Sequence, residues 1–188
     1  MPRIVAGVAG GRRLDVPPSG TRPTSDRVRE AMFSSIEARM DLDGASVLDL
    51  YAGSGALGLE ALSRGAEHVV LVESNARAAA VLTANIEAVA TPGAEIRQAP
   101  VEAVLRAAAD RRYDLVLADP PYAFSDDAVA SVLVSLVDGG WLHDDAIVVV
   151  ERSSRSPQTR WPSGLESEKS KKYGESRTDM ALRVVSSP

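Results

Sequence analysis

Apolar and polar positions follow two different rhythms along the chain, and the changes between them mark its elements. Short apolar runs bounded by turn residues predict strands, while apolar residues three or four positions apart predict helices. The strands predicted in the central part are residues 46–50, 68–72, 94–98, 113–118 and 145–151. Helices are predicted after the first four strands, one ending near residue 64 and the others over 75–89, 101–109 and 126–137. Continuous apolar strands that alternate with helices are typical of an α/β fold with a parallel sheet covered on both faces.

The two ends of the chain have a different pattern. Residues 2–7 and 12–16 are predicted to form the strands of a β-hairpin, with a turn at Gly10 and Gly11. A Pro-, Ser- and Gly-rich linker follows, and Thr24 or Ser25 can cap a helix that ends near residue 39. The apolar face of this helix comprises Val28, Met32, Ile36 and Met40. Beyond residue 152 the chain is polar, and we expect a final hairpin that ends in residues 180–185.

Composition narrows the classes of protein and site. The chain has 188 residues, 45% hydrophobic and 25% charged, which fits one globular domain. It has no Cys, which excludes disulfides, Cys-ligated zinc and a Cys nucleophile, and its two His lie far apart, so we expect no metal site. Because no apolar stretch approaches the ~20 residues that span a bilayer and no signal peptide is visible, we expect a cytoplasmic protein without membrane contact.

The net charge of −5 is unevenly distributed. Residues 1–30 hold six Arg and three acidic residues, and residues 151–188 hold eight basic and five acidic residues, so each end carries +3. The part between them carries −11. A phosphate-binding surface could be confined to the two basic ends, although a charge of this size is equally common on an ordinary solvated surface.

A glycine-rich loop joins the first central strand to the next helix. Gly53, Gly55 and Gly58 have the spacing G-x-G-x-x-G, and Glu73 ends the following strand, 20 residues after Gly53. Glycines allow a tight turn and a close approach of a ligand to the backbone, and a carboxylate after the second strand can bind both hydroxyls of a ribose. The pattern fits a dinucleotide-binding site and also an S-adenosylmethionine site. The alternative is that the glycines have only a structural role and tighten the turn.

Asp49 favours S-adenosylmethionine over a dinucleotide. It lies near the end of the first central strand, where a carboxylate would repel a pyrophosphate. The same carboxylate could accept a hydrogen bond from an ammonium group or an ordered water. S-adenosylmethionine carries an amino group and a sulfonium and has no phosphate. The competing interpretation is that Asp49 only caps the helix or faces solvent.

The tetrapeptide Asp119-Pro120-Pro121-Tyr122 follows the fourth central strand. In isolation it could be a simple turn. Next to the glycine loop it suits methylation of an exocyclic amine, whose lone pair is delocalised into the ring. The Asp119 carboxylate and the Pro120 carbonyl can accept the two N–H groups and make the nitrogen nucleophilic, and Tyr122 can stack on the base. Direct transfer then depends on positioning and desolvation and requires neither metal nor Cys.

These residues resemble a known family. The segment 46–65 together with Asp119–Tyr122 is similar to class I S-adenosylmethionine-dependent amino-methyltransferases. The N-terminal RIVAG, GRRL and RPTSDRVREAMF segments, AGSGALGLEALSR and the late Lys172-Tyr173-Gly174 resemble the bacterial 16S rRNA guanine-N2 methyltransferases of the RsmD type. The resemblance implies a seven-stranded, doubly wound, mostly parallel, Rossmann-like sheet with an N-terminal β-hairpin. It also implies methylation of one guanine of 16S rRNA, within the 30S subunit or its assembly intermediate, by a protein that we expect to be a monomer.

The resemblance also assigns residues and domains. Residues 1–23 would be an RNA-contacting hairpin and linker, and residues 24–188 the methyltransferase domain. The catalytic residues would be Asp119, Pro120, Pro121 and Tyr122. The cofactor would be held by Asp49, Ala52, Gly53, Ser54, Gly55, Glu73, Ser74, Gln98 and Ala99. The RNA would be contacted by Arg3, Arg12, Arg13, Arg22, Arg27 and Lys172. The family often has Asp or Asn where this chain has Gln98 and Ala99, so the adenine contact there is expected to be mostly backbone.

Three other functions stay open at this point. An adenine-N6 or protein-glutamine methyltransferase would use the same fold and the same tetrapeptide, and the choice of guanine depends on the resemblance. A nicotinamide-dependent oxidoreductase would use the same glycine pattern, but the chain is short for a separate substrate domain. A non-catalytic RNA-binding protein is disfavoured by the intact Asp119–Tyr122 segment.

Overall fold

A twisted seven-stranded sheet forms the centre of the computed structural model, which describes residues 1–18 and 24–187. The strands are β1 (Ser46–Leu50), β2 (His68–Val72), β3 (Ala94–Arg97), β4 (Tyr113–Ala118), β5 (Leu142–Ser153), β6 (Leu165–Tyr173) and β7 (Ser176–Arg183). The helices are α1 (Asp26–Glu37), α2 (Ala56–Ser63), α3 (Ala76–Val89), α4 (Val101–Arg106) and α5 (Asp126–Asp138). The predicted alternation of strands and helices is thus confirmed.

The strand order is β3-β2-β1-β4-β5-β7-β6. The first five strands in this order are parallel, whereas β7 runs antiparallel to both β5 and β6. The sheet is therefore doubly wound and mostly parallel, as predicted. The direction of winding reverses between β1 and β4, and ligands of open α/β sheets bind outside the carboxyl ends of the strands at such a point.

Both faces of the central strands are covered, which explains why β1, β2 and β4 are mostly apolar and buried. Alternate residues of β1, such as Val47 and Leu48, point to opposite faces. One face packs against α1, α2 and α3 through residues such as Phe33 and Leu82. The other face packs against α4 and α5. Within the described residues, no helix is long and apolar enough to cross a membrane, and no three acidic or His side chains form a group that could hold a metal.

The N-terminal hairpin is much smaller than predicted. The two expected strands reduce to one antiparallel bridge between Arg3 and Arg13. The neighbouring backbone groups are used elsewhere: the Val5 N–H donates to Glu60 Oε1 (2.9 Å), the Ala9 N–H to Ser63 Oγ (2.9 Å), and other groups likewise bond to the domain. A short ladder remains, in which the Ile4 N–H donates to the Arg12 carbonyl (2.9 Å) and the Leu14 N–H to the Pro2 carbonyl (2.8 Å), and tertiary hydrogen bonds hold it against the domain. Three side chains of this segment are buried in the core beneath α1 and α2, namely Ile4, Ala9 and Leu14.

Several element boundaries also differ from the prediction. Helix α1 ends at Glu37, and α4 ends at Arg106. Strand β5 begins at Leu142, because a register shift lets its first residue pair with Tyr113 before the regular pairing of Ile147 with Leu115. The final hairpin is confirmed as β6 and β7, and β7 lies between β5 and β6.

Candidate active site

A cleft of about 630 Å³ opens at the carboxyl edge of the sheet. It lies where β1, β2 and β4 end, and its size is within the usual range for a small-molecule site. Glu73 and Asp119 both line it, whereas the glycine loop, residues 52–58, is not part of its lining. The residues that line it are Pro17, Pro18, Tyr51, Val72, Glu73, Ser74, Asn75, Ala76, Arg77, Ala78, Pro100, Val101, Glu102, Asp119, Pro120, Pro121, Tyr122 and Phe124.

The glycine loop needs its glycines for different reasons. Gly55 precedes α2 with a φ of 85°, a left-handed conformation that glycine adopts without strain, and a Cβ there would lie 2.3 Å from Leu82 Cδ1. A Cβ at Gly58 would lie 2.8 Å from a methyl carbon of Leu71. At Gly53 a Cβ would meet no atom within 4 Å. The first glycine therefore faces open space, and the other two allow α2 to pack closely against the sheet and α3.

Glu73 connects the end of β2 to the glycine loop. Its Oε1 accepts the Gly53 N–H at 2.9 Å, and its Oε2 accepts the Asn75 N–H at 2.8 Å. Each carboxylate oxygen has a further lone pair, so Glu73 can still accept hydrogen bonds from two hydroxyl groups in the cleft. This geometry suits the ribose diol that the sequence analysis assigns to it.

Asp49 is only 1% exposed and lies behind the loop. Its Oδ2 accepts the Gly58 N–H in the first turn of α2 at 2.9 Å. Burial raises the pKa of Asp49 from 3.8 to about 7, the Gly58 hydrogen bond opposes this, and the charge of Glu73 adds to it. The side chain does not line the cleft, so a contact with the amino group of a cofactor would require an intervening water or a movement of the loop.

The Asp119–Tyr122 segment is held as a turn at the end of β4. The Phe124 N–H donates to the Pro121 carbonyl at 2.9 Å, which closes the turn. Arg152, buried at the end of β5, donates from Nη2 to the Phe124 carbonyl at 2.9 Å and to Asp126 at 3.2 Å. Arg152 therefore holds the end of the turn in place from β5. Tyr122 is 52% exposed and lines the open side of the cleft, where its ring is accessible to a flat ligand.

The Asp119 carboxylate lies among other charges at this edge. Its pKa is raised well above the ordinary value, first by burial and then by the negative charges of Glu151 and Asp49. A hydrogen bond from Thr24 and the charge of Arg152 act in the opposite direction. A carboxylate of raised pKa is a better proton acceptor near neutral pH, and strongly shifted groups in a cleft are typical of active sites.

Comparison with known proteins agrees with this geometry. The protein family described as conserved hypothetical protein 95 matches residues 2–181. The ribosomal RNA small subunit methyltransferase D of Escherichia coli K12 is 39% identical over 150 residues, covering 79% of this chain and 73% of that protein. The chain belongs to the ribosomal RNA small subunit methyltransferase D family. The Haemophilus influenzae member is 34% identical over 160 residues, covering 82% of this chain and 80% of that protein.

A solved structure supports the same family membership. The Escherichia coli protein yhhF superposes with a TM-score of 0.86 and 31% identity, over 96% of this chain and 97% of that chain. The likeness therefore extends over nearly the whole of both chains. The fold is therefore that of a class I methyltransferase, as the family resemblance implied.

The other predicted cofactor residues lie at different distances from the cleft. Ser74 lines it beside Glu73. Ala52 and Ser54 shape the glycine loop through backbone bonds, the Ala52 N–H to the Val72 carbonyl and the Ser54 carbonyl to Asn85. After β3 the wall of the cleft is formed by Pro100, Val101 and Glu102 and not by Gln98 and Ala99. The role of Gln98 and Ala99 stays a prediction.

The predicted RNA-contacting residues differ in their surroundings. Arg3, Arg13, Arg27 and Lys172 are exposed, and Arg3 also lies 3.6 Å from Asp26. Arg12 donates to the carbonyls of Val89 and Ala88, the latter at 3.3 Å, at the end of α3. A guanidinium at this position satisfies the unpaired carbonyls of a helix C-terminus. Arg22 lies outside the described residues.

Sequence analysis missed several residues around the cleft. Tyr51, in the left-handed region with a φ of 59°, packs edge-on against Phe124 at a centroid distance of 5.2 Å. Thr24 was considered only as a helix cap, but Ser25 is the cap of α1 and the Thr24 hydroxyl contacts Asp119 and Glu151. Glu151 could have been found from the sequence, because it is an acidic residue near the end of β5, the strand that neighbours β4.

Proposed function

We propose that the protein transfers a methyl group from S-adenosylmethionine to the exocyclic N2 of one guanine in 16S rRNA. The observation that carries the proposal is that the Asp119–Tyr122 turn and the Glu73 carboxylate face one cleft. The relatives are named for methylation of the small-subunit ribosomal RNA, which supports rRNA as the substrate. Choosing guanine N2 goes beyond those names and depends on the family resemblance of the sequence motifs.

The cleft fits S-adenosylmethionine by its chemistry. Glu73 keeps free lone pairs for a ribose, and the wall formed by Val101 and Ala78 offers apolar surface for an adenine ring. The glycine loop exposes backbone near Gly53, and no positively charged cradle for a pyrophosphate is needed. When bound, S-adenosylmethionine supplies an electrophilic methyl group on a sulfonium.

The chain's own residues would prepare the amine. The Asp119 carboxylate accepts one N–H of the exocyclic amine, the Pro120 carbonyl accepts the other, and the ring of Tyr122 stacks on the base. These contacts hold the nitrogen lone pair toward the methyl group and exclude water from the reacting atoms. Most of the acceleration then comes from positioning, which can contribute about 7–11 kcal/mol in well-oriented reactions.

The substrate must present its base outside a duplex. The turn at Asp119 lies inside the cleft, so a paired guanine could not reach it, and the target is expected in a loop or flipped out of a helix. We further propose that exposed Arg3, Arg13, Arg27 and Lys172 contact the phosphates. In this proposal residues 1–23 act as the RNA-contacting segment and 24–188 as the catalytic domain, working as a monomer on the 30S subunit or its precursor.

The test is methyl transfer from labelled S-adenosylmethionine to small-subunit particles that lack the modification. We expect label in 16S rRNA and none in DNA or protein. The Asp119→Ala variant should lose at least about 100-fold in rate, because acid–base and amine-holding groups contribute on that scale, while cofactor affinity changes by a few fold at most. The matched control Asp127→Ala removes an exposed carboxylate of α5 and should behave like the wild type. Label in DNA or protein, or near-normal turnover of Asp119→Ala, would refute the proposal.

A further inference from the structure

A hydroxyl group lies between two carboxylates next to the cleft. Thr24 Oγ1 is 2.8 Å from Glu151 Oε2 and 3.4 Å from Asp119 Oδ2. Thr24 is 9% exposed and Glu151 is 5% exposed, so the group is shielded from bulk water. Neither Thr24 nor Glu151 has a part in the amine-holding contacts described above.

The sheet register places the two carboxylates side by side. Strands β4 and β5 are parallel neighbours, and Ala118 is paired with Val150. The next residue of each strand is Asp119 or Glu151, so both carboxylates leave the same edge of the sheet. Thr24 lies beside this edge, and Ser25 caps α1 one residue later. The Thr24 hydroxyl is thereby held within reach of both carboxylates.

The Thr24 hydroxyl cannot donate to both carboxylates at once. Threonine has one hydroxyl proton and two lone pairs. The short contact identifies Glu151 as the acceptor of that proton. The longer contact, a weak donation to Asp119 at most, leaves a lone pair of Thr24 near Asp119 that can accept a hydrogen bond once Asp119 Oδ2 carries a proton. The arrangement is therefore complementary to a proton that arrives on Asp119.

We propose that Thr24 and Glu151 are positioning residues that receive, through Asp119, the proton released when the target nitrogen is methylated. The inference rests on the proposed function. The nitrogen gains the methyl group and loses one N–H proton to Asp119 Oδ2. The Asp119 O–H then donates to Thr24 Oγ1, and the Thr24 hydroxyl donates to Glu151. Passing the proton along these two bonds returns Asp119 to its ionised form and leaves Glu151 protonated. Glu151, which keeps 5% of its surface exposed, releases the proton to water between turnovers.

Four groups determine the charge around Asp119 in the described residues. Glu151 on β5 and Asp49 on β1 disfavour its ionised form, while Arg152 on β5 and the Thr24 hydroxyl favour it. The Glu151→Gln variant removes one of the two negative charges and keeps the shape. The pKa of Asp119 should therefore fall in this variant, and the acid limb of the kcat profile should move to lower pH.

The first experiment measures kcat and KM as a function of pH for Thr24→Val, Thr24→Ser and Glu151→Gln. Thr24→Val keeps the shape and removes the hydroxyl, and we expect kcat to fall by about 10-fold or more with KM values within about threefold. Thr24→Ser should restore most of the rate. Thr83→Val is the matched control, because the Thr83 hydroxyl bonds only to the Ala79 carbonyl within α3. Wild-type kcat in Thr24→Val, or equal losses in Thr24→Val and Thr24→Ser, would overturn the proposal.

The second experiment needs no turnover. In protein labelled with ¹³C at the Asp carboxyl carbons, the resonance of Asp119 is identified by its absence in Asp119→Asn and followed against pH. The midpoint should fall in Glu151→Gln and stay unchanged in Thr83→Val, and an unchanged midpoint in Glu151→Gln contradicts the proposal. The two proposals can fail separately. If the Asp119 midpoint falls in Glu151→Gln but the wild type methylates another amine, then guanine N2 is the wrong target and the coupling of Asp119 to Glu151 is still supported.

Discussion

Asp49 is a buried carboxylate, and ionising it in the folded protein should lower the free energy of unfolding by a measurable amount. Its side chain is 1% exposed, and its pKa is raised from 3.8 to about 7. Because the folded state favours the protonated form, the cost is absent below pH 3.8 and complete above pH 7. The unfolding free energy should therefore fall as the pH rises through this window. The difference between the two pKa values corresponds to about 4 kcal/mol at pH 8.

The Asp49→Asn variant isolates this cost. Asparagine has the same shape, and its Oδ1 can accept the Gly58 N–H that Asp49 Oδ2 accepts in the wild type. The variant should be more stable than the wild type by about 4 kcal/mol at pH 8 and by less than about 1 kcal/mol at pH 4. Asp127→Asn, with an exposed side chain, controls for the loss of one charge.

The assay is urea denaturation followed by circular dichroism between pH 4 and pH 8, with the difference between variant and wild type taken at each pH. Titrating groups that do not interact with Asp49 cancel in that difference, whereas Glu73 and Asp119 interact with it and contribute a smaller change. A stability gain that is independent of pH, or a loss at pH 8, would show that Asp49 is ionised in the folded protein at little cost. The inferred environment behind the glycine loop would then be wrong.

Three further predictions concern contacts around the site. Tyr51→Phe removes a buried hydroxyl that has no hydrogen-bond partner among the described residues, so thermal unfolding should show unchanged or higher stability, by up to about 1 kcal/mol, and a loss would reveal a missing partner. Glu60→Ala removes a carboxylate 3.5 Å from the buried Arg29 guanidinium and frees the Val5 N–H, while Asp26 stays 2.8 Å from Arg29, so urea denaturation should show a loss of about 1–3 kcal/mol, and no measurable loss would contradict this. Arg13→Glu should weaken RNA binding and reduce its salt dependence, whereas Arg12→Ala should chiefly lower the stability of the end of α3, and filter binding together with thermal unfolding would expose the reverse pattern.

The central sheet could be predicted because its signals are local. The central parallel strands are mostly apolar on both faces, so residues such as Val47 and Leu48 identify β1 without knowledge of its neighbours. The glycine loop and the Asp119–Tyr122 turn each lie within a few residues, and the rule that parallel strands end at one edge brings them together. The order of the last strands was not predictable in this way, because β7 pairs with β5 across an intervening strand in sequence.

Contacts between distant segments were not predictable from local patterns. The pattern of residues 2–16 is that of a hairpin, but it does not reveal that Glu60, Ser63 and Asn85 accept other backbone N–H groups of this segment. Thr24 is 127 positions from Glu151 in sequence. A threonine just before a helix is expected of a helix cap, so its position gives no sign that it also contacts the site. In the sequence, Arg12 cannot be distinguished from the other Arg residues of the N-terminal segment. Its contact with the end of α3 distinguishes it in the structure.

A structure of the complex with a non-reactive analogue of S-adenosylmethionine and an RNA fragment carrying the target guanine tests the central claim most directly. The account predicts the exocyclic N2 within hydrogen-bond distance of both the Asp119 carboxylate and the Pro120 carbonyl. It also predicts the ribose of the analogue on Glu73 and the position of the methyl group facing N2. A complex in which the analogue lies elsewhere, or in which Asp119 is turned away from the base, would contradict it.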